Sequence, residues 1–134
     1  MARLLLDTNI CIYVAREKPP AVLAHFRRHQ RGDLAMSAVT FGELLYGAAK
    51  SSQRERVREV LRELVDWVPA LPIDDAVAER YGALRATLEQ RGRPIGNNDL
   101  WIAAHALALG LPLVTNNERE FERVPGLKVV NWAR

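Results

Sequence analysis

The first place where this chain offers chemistry is a leucine run that stops on a carboxylate. "RLLLDTN", Arg3 to Asn9, passes from three leucines to Asp7, Thr8 and Asn9 without transition. A strand apolar enough to be buried gains nothing from ending on an acid, because a buried charge without a partner is costly. Other acids and amides stand in comparable places. Glu43 lies in the early turns of the helix after "LAMS", and Asp99 opens "DLWIAAHALAL". Asn116 and Asn117 follow "LPLVT", with Glu118, Glu120 and Glu122 beyond. Carboxylates pushed together raise one another's pKa, and a divalent cation removes that conflict. Oxygen ligands without a Cys/His set suit Mg²⁺ or Mn²⁺ rather than zinc.

Each residue also has a plainer account. Asp7 is a good helix N-cap, with Thr8 able to share the task. Glu43 falls opposite the Phe41/Leu44/Leu45 stripe, where a solvated glutamate is ordinary. Asp99 suits the first turn of a helix, where the macrodipole stabilises an acid by about 0.3–1 kcal/mol. Glu118, Glu120 and Glu122 fit a charged surface helix. The case for a site is the shared position of these residues, which depends on the elements that carry them.

Short apolar runs alternate with helical patterns. "RLLL" predicts a buried strand, followed by a helix from about Thr8 to Arg16 that Pro19-Pro20 ends. "PAVLAHFRRHQ" predicts a helix, "LAMS" a strand, and "AVTFGELLYGAAK" a helix burying Phe41, Leu44, Leu45 and Ala48. A charged helix runs from about Ser52 to Asp66, and "WVPALPI" is a third strand-like run punctuated by Pro69 and Pro72. Helices follow over about Asp75–Arg91 and Asn98–Leu109, then strand-like "LPLVT", a short helix in "EREFERV" and a β-rich "GLKVVNW". This alternation predicts an α/β sandwich with a four- to five-stranded, largely parallel sheet. In such a sheet the loops after the strands share one edge, and ligands bind there.

Composition narrows the class further. With 134 residues, 49% hydrophobic and 26% charged, the chain has the make-up of one ordinary globular domain over 1–134. A net charge of +3 is compatible with a polyanion but does not require one. Cys11 is the only cysteine, which excludes an intrachain disulfide and a thiolate cluster. "MARLLLD" lacks a secretory apolar region, and "WIAAHALALGLPLV" is interrupted by His105, Gly110 and Pro112 before it reaches the roughly 18 residues a membrane span needs. A cytoplasmic location and no membrane partner are expected.

Four segments, "LLLDTNICIY", "MSAVTFGELLYGA", "IGNNDLWIAAHA" and "LVTNNEREFERVPGLKVVNW", resemble the successive motifs of PIN-domain ribonucleases. More narrowly they resemble the VapC toxins of bacterial VapBC toxin–antitoxin modules, in family order and across essentially the whole chain. The resemblance implies a PIN-domain α/β/α sandwich and metal-binding acids at Asp7, Glu43 and Asp99. Thr8 or Asn9 and Thr115 become polar neighbours of the pocket. Many relatives place an aspartate two residues after Thr115, where this chain has Asn117; Glu120, one helical turn on, is then the substitute fourth acid. The resemblance further implies hydrolysis of RNA to 5′-phosphate and 3′-hydroxyl ends, with a tRNA, cut in its anticodon stem-loop, the favoured substrate. Its implied partners are a second copy of the chain and a VapB antitoxin, whose tail occupies a groove and can push an arginine into the acidic pocket. Guanidinium is a bidentate match for carboxylates and competes with a cation.

Basic residues would hold the RNA. Arg91 and Arg93, just before the Asp99 turn, are best placed, and Arg27, Arg28 and Arg31 form a second cluster. Arg54, Arg58 and Arg62 run beside Glu55, Glu59 and Glu63, which predicts a salt-bridged solvated face instead. Tyr46 and Trp101 are candidates for base stacking, although Trp101 also suits a core. A metal-free ribonuclease would need paired histidines, and only His25 and His29 are spaced for that, while His105 belongs in an apolar helix. Two further alternatives remain: a PIN domain that holds metal and RNA with weak turnover, and a phosphoryl-transfer domain. An aspartyl-phosphate phosphatase wants Asp at position 9, where this chain has Asn9. A receiver needs a phosphorylated Asp after a central strand and a later strand-end lysine, and neither is visible.

Overall fold

In the computed structural model, which describes residues 1–134, the chain's first strand becomes the centre of the sheet. β1 (Leu4–Leu6) pairs on one side with β2 (Leu34–Ser37) and on the other with β4 (Leu113–Val114). β3 (Ala70–Leu71) extends the sheet beyond β2, and β5 (Val129–Val130) extends it beyond β4. The order is β3-β2-β1-β4-β5 and every pairing is parallel, so the expected largely parallel sheet is parallel throughout. Two strands are shorter than their apolar runs. Pro69 and Pro72 bracket β3 and cannot donate to a ladder, and β5 lies at an edge with one neighbour.

Side chains alternate between two cores. Leu6, Leu34, Met36 and Val114 face one layer of helices: α1 (Thr8–Arg16), α2 (Pro20–Arg27), α3 (Ala38–Ala49) and α4 (Arg54–Trp67). Leu5, Ala35 and Leu113 face α5 (Asp75–Gln90) and α6 (Asn97–Leu109) on the other side. The period-two pattern of a strand thus supplies both layers from the same few residues. A last short helix, α7 (Glu118–Phe121), follows β4 and inserts Phe121 into the second core. Trp132, beyond β5, is buried in the first core with His25 and His29 stacked on its ring at 5.7 and 5.4 Å. The two histidines therefore pack rather than form an open acid–base pair.

The expected ion-pair ladder on α4 does not form. The four ion pairs are Arg3–Asp33, Arg31–Asp66, Arg85–Glu89 and Arg134–Glu118, and none involves Arg54, Arg58 or Arg62. Those side chains stay solvated, because an exposed pair gains little more than it loses in side-chain freedom. Arg31 is committed locally, 2.8 Å from Asp66 and 4.5 Å above the Trp67 ring, so the Arg27/Arg28/Arg31 cluster is not a set of three free cations.

One buried polar contact spans the sheet beneath the strand-end edge. His105, in the apolar helix α6, places Nδ1 2.8 Å from the Ser37 hydroxyl, and that hydroxyl accepts from the Val39 N–H as the N-cap of α3. Burial holds the imidazole below its ordinary pKa, opposed by the nearby charge of Asp74. Ser37→Ala removes both bonds and should cost about 1–2 kcal/mol. A lower urea midpoint at unchanged m-value checks it.

Candidate functional site

From β1 the chain extends the sheet outward to β2 on one side and to β4 on the other, which makes the gap between β1 and β4 a topological switch point. Asp7 and Thr115 end those two strands there. Asp7 is 4% exposed and caps α1: its Oδ1 accepts from the Thr8 N–H at 2.8 Å. Its Oδ2 accepts from the Thr115 hydroxyl at 2.7 Å. The hydroxyl accepts in turn from the Asn117 N–H at 2.9 Å. Capping and site formation are therefore one arrangement, which fixes the orientation of both carboxylate oxygens. Burial still pushes the Asp7 pKa up, opposed by the Thr115 and Thr8 bonds and reinforced by the charges of Glu43 and Glu120.

Glu43 comes from α3 and is half-buried rather than solvated. Thr8 Oγ1 donates to its Oε1 at 2.5 Å and lies 3.1 Å from the Thr40 hydroxyl. Asn98 Nδ2 donates to its Oε2 at 3.3 Å. Asp99 sits in the first turn of α6, also half-buried. Glu120, on α7, accepts from the Gly96 N–H at 2.7 Å and from Asn117 Nδ2 at 2.7 Å. A Cβ at Gly96 would meet Glu120 Oε1 at 3.6 Å and Asp99 Oδ2 at 3.8 Å, so both carboxyl groups crowd this short turn. Asn117 thus occupies the expected acid's position as the amide that anchors Glu120.

The electrostatics record the crowding. The Asp99 pKa is pushed up to about 8 by burial, then by its bond to Glu120 and by the charges of Asp7, Glu120 and Glu43. Glu120 moves the other way: despite burial, bonds from Asp99, Gly96 and Asn117 and the charge of Arg123 hold it below its ordinary value. The opposite shifts make Asp99 the member of the pair that gives up its proton at the higher pH. No three His, Cys, Asp or Glu side chains close around a single point as they stand. Two of the acids are instead anchored by neighbours, Glu43 by Thr8 and Asn98 and Glu120 by Gly96 and Asn117. The donor set fits a divalent cation all the same: it is all oxygen, and the charges of Asp7, Glu120 and Glu43 disfavour ionisation of Asp99 beside them.

Other candidates lie around this centre. Asn9 Oδ1 accepts from the Asn116 N–H at 3.3 Å, which fixes the loop after β4 against α1. Arg91 caps the C-terminus of α5, Arg93 lies in the following turn, and both are exposed. Trp101 is half-buried and stacks on Tyr81 at 3.8 Å, while Tyr46 is 66% exposed. Thr40, Gly96 and Asn98 escaped sequence reasoning. Asn98 adjoins Asp99 in "GNND", which was its available signal, whereas the role of the Gly96 N–H leaves no trace in residue type.

A parallel sheet between two helical layers, with acids gathered where its strand order reverses, defines a class. Residues 4–127 match the PIN domain family model. The chain belongs to the PIN domain family, in its VapC branch. It is similar to the tRNA(fMet)-specific endonuclease VapC of Shigella flexneri, with 45% identity over 133 residues, covering 99% of this chain and 100% of that one. Among solved structures it resembles DNA-bound VapBC from Salmonella typhimurium, with a TM-score of 0.92 and 39% identity over 98% of this chain and 99% of that one. It also resembles VapBC-1 from nontypeable Haemophilus influenzae, with a TM-score of 0.90 and 38% identity over the whole of both chains.

Proposed function

We propose that this chain is a divalent-metal-dependent endoribonuclease, the toxin of a VapBC pair, with Asp7, Glu43 and Asp99 as metal ligands and Glu120 as the fourth acid. The observation that carries this reading is the gathering of those four carboxyl groups, from four distant parts of the sequence, at one strand-end edge. The names of its full-length relatives, which are endonucleases and ribonucleases, support it. Mg²⁺ is the favoured ion and Mn²⁺ the alternative, on the chemistry of an all-oxygen donor set.

When bound, the ion supplies a Lewis acid that offsets phosphate charge and makes water a better nucleophile. The residues of the chain do the rest. Thr8 and Thr115 hold Glu43 and Asp7 in place, and Gly96 and Asn117 hold Glu120 against Asp99. To hold the cation Asp99 would have to be ionised, so metal uptake would release protons. Glu43 orients the attacking water. Arg91 and Arg93, exposed beside the α6 turn, contact the RNA backbone. A tRNA is the favoured substrate, on the description of the Shigella relative. The setting is a bacterial cytoplasm, and no helix is long and apolar enough to cross a membrane.

A groove of about 1020 Å³ between α1, α3 and α4 suits a VapB-type antitoxin. Ile12, Val57 and Leu61 give it an apolar lining, Arg16 and Arg56 add positive charge, and Glu43 lies within reach of a guanidinium inserted by the partner. The VapBC complexes among its structural neighbours support that pairing. A homodimer is the expected toxin assembly.

Sequencing RNA ends after induction of the wild type and of Asp7→Asn tests the whole reading. New ends should arise with the wild type alone and vanish from purified reactions on addition of chelator. Identical end profiles for the two proteins would remove the nuclease. A domain that holds metal and RNA with weak turnover is the second reading, favoured by the amide at Asn117 in place of an acid; it predicts metal-dependent RNA binding without new ends.

A further inference from the structure

A second, smaller cavity of about 160 Å³ lies on the other side of the Gly96 turn from the acids. Leu88, Ile95 and Leu100 give it apolar walls, and Arg85, Glu89 and Asn97 add its polar groups. The turn is a shared wall: Ile95 and Asn97 line the cavity, while the N–H of Gly96 between them bonds Glu120. Whatever enters this cavity is therefore adjacent to the acids of the site.

Its polar groups are ordered although they face solvent. Tyr81 stacks on Trp101 with ring centroids 3.8 Å apart and planes 12° from parallel, which fixes the phenol. The Tyr81 hydroxyl donates to Asn97 Oδ1 at 2.5 Å and accepts from Arg85 Nη1 at 3.0 Å. Arg85 Nε donates to Glu89 Oε2 at 2.9 Å, with the two side chains 54% and 57% exposed. Three groups are left without a bond within the chain: Arg85 Nη2 and Asn97 Nδ2, both donors, and Glu89 Oε1, an acceptor. A small pocket with a donor pair and a carboxylate at its rim matches one nucleobase better than the others. Guanine offers N1–H and N2–H to a carboxylate, and O6 and N7 to a guanidinium. Adenine would set the N1 lone pair against Glu89, and a pyrimidine has no N7 to offer the guanidinium.

We infer that the Arg85–Glu89–Asn97 cavity is a base-reading subsite that accepts a guanine of single-stranded RNA flanking the scissile bond. This rests on the ribonuclease reading for its place beside the reaction, although the subsite binds the base whether or not the bond is cut. Arg85 and Glu89 are then specificity determinants, while Tyr81 and Trp101 are positioning residues that act through Arg85.

The test has two arms. In the first, the Asp7→Asn protein is titrated against labelled short oligouridylates that carry one central guanosine, inosine or adenosine. Guanosine should bind about tenfold more tightly than adenosine, with inosine, which lacks the N2 amine, in between. Arg85→Ala should shrink the lead of guanosine over adenosine while leaving guanosine ahead of inosine, and Glu89→Gln should move the preference toward adenosine, because an amide donates and accepts where the carboxylate only accepts. Equal binding of all three probes by the parent, or a guanosine preference that survives both substitutions, overturns the subsite. In the second arm, wild type with Mg²⁺ is given RNA of random sequence, and the ends should show guanosine at one fixed offset from the cut. Absence of any cleavage would sink the nuclease reading alone, since the binding arm stands without it. Cleavage with no such offset would sink the subsite alone.

Discussion

Asp99→Asn should lower RNA cleavage by about 10³-fold while making the metal-free protein more stable. The loss follows from removing a proposed metal ligand: metal stabilisation of transition-state charge is worth several kcal/mol, and about 1.4 kcal/mol is tenfold in rate. The gain follows from the crowding around the carboxyl, whose pKa of about 8 against an ordinary 3.8 shows that the fold disfavours its charge. The native state then holds a proton that the unfolded chain has lost, so stability falls as pH rises from about 4 to about 8 and levels off above. Because Asp99 is only half-buried, the difference is discounted for solvent screening to about 1–2 kcal/mol. Urea unfolding of both proteins without metal at pH 5 and pH 8.5 checks this. The wild type should lose stability over that interval, and the Asp99→Asn protein should be flatter and higher at the alkaline end. A variant less stable than wild type at pH 8.5 would contradict the electrostatic account.

Mg²⁺ should reverse the same pH dependence. Binding to the folded protein alone adds about 2.7 kcal/mol when the ion is at a hundred times its Kd. The acids must give up protons to bind, so affinity rises with pH through the range in which Asp99 titrates. The thermal shift produced by saturating Mg²⁺ should therefore amount to several degrees at pH 8.5 and shrink toward zero at pH 5. Asp7→Asn should abolish the shift at both. An equal shift in the wild type at both pH values would place the ion elsewhere.

The architecture was legible in the sequence because strand and helix alternate with different periods. "LLL" and "LAMS" cannot serve as helices between such close breaks, and the Asp7, Glu43 and Asp99 positions follow from where those runs end. What was not legible depends on partners far along the chain. The bond from Asn98 to Glu43 spans 55 positions, and the contact between Thr8 and Thr40 spans 32, with nothing in either neighbourhood to announce them. The helical stripe on α3 showed which face is buried, but a half-buried Glu43 depends on α1 and α6 covering its flank. The α4 charges failed for a different reason: alternating signs show that pairing is available, whereas solvation decides whether it happens.

The central place of β1 bears on how the molecule is made. The first strand to leave the ribosome has to wait for β4, more than a hundred residues later, before its second neighbour exists. No nascent chain that ends before Glu120 contains all four acids. A growing polypeptide of this design cannot assemble the proposed acidic site until its synthesis is nearly over.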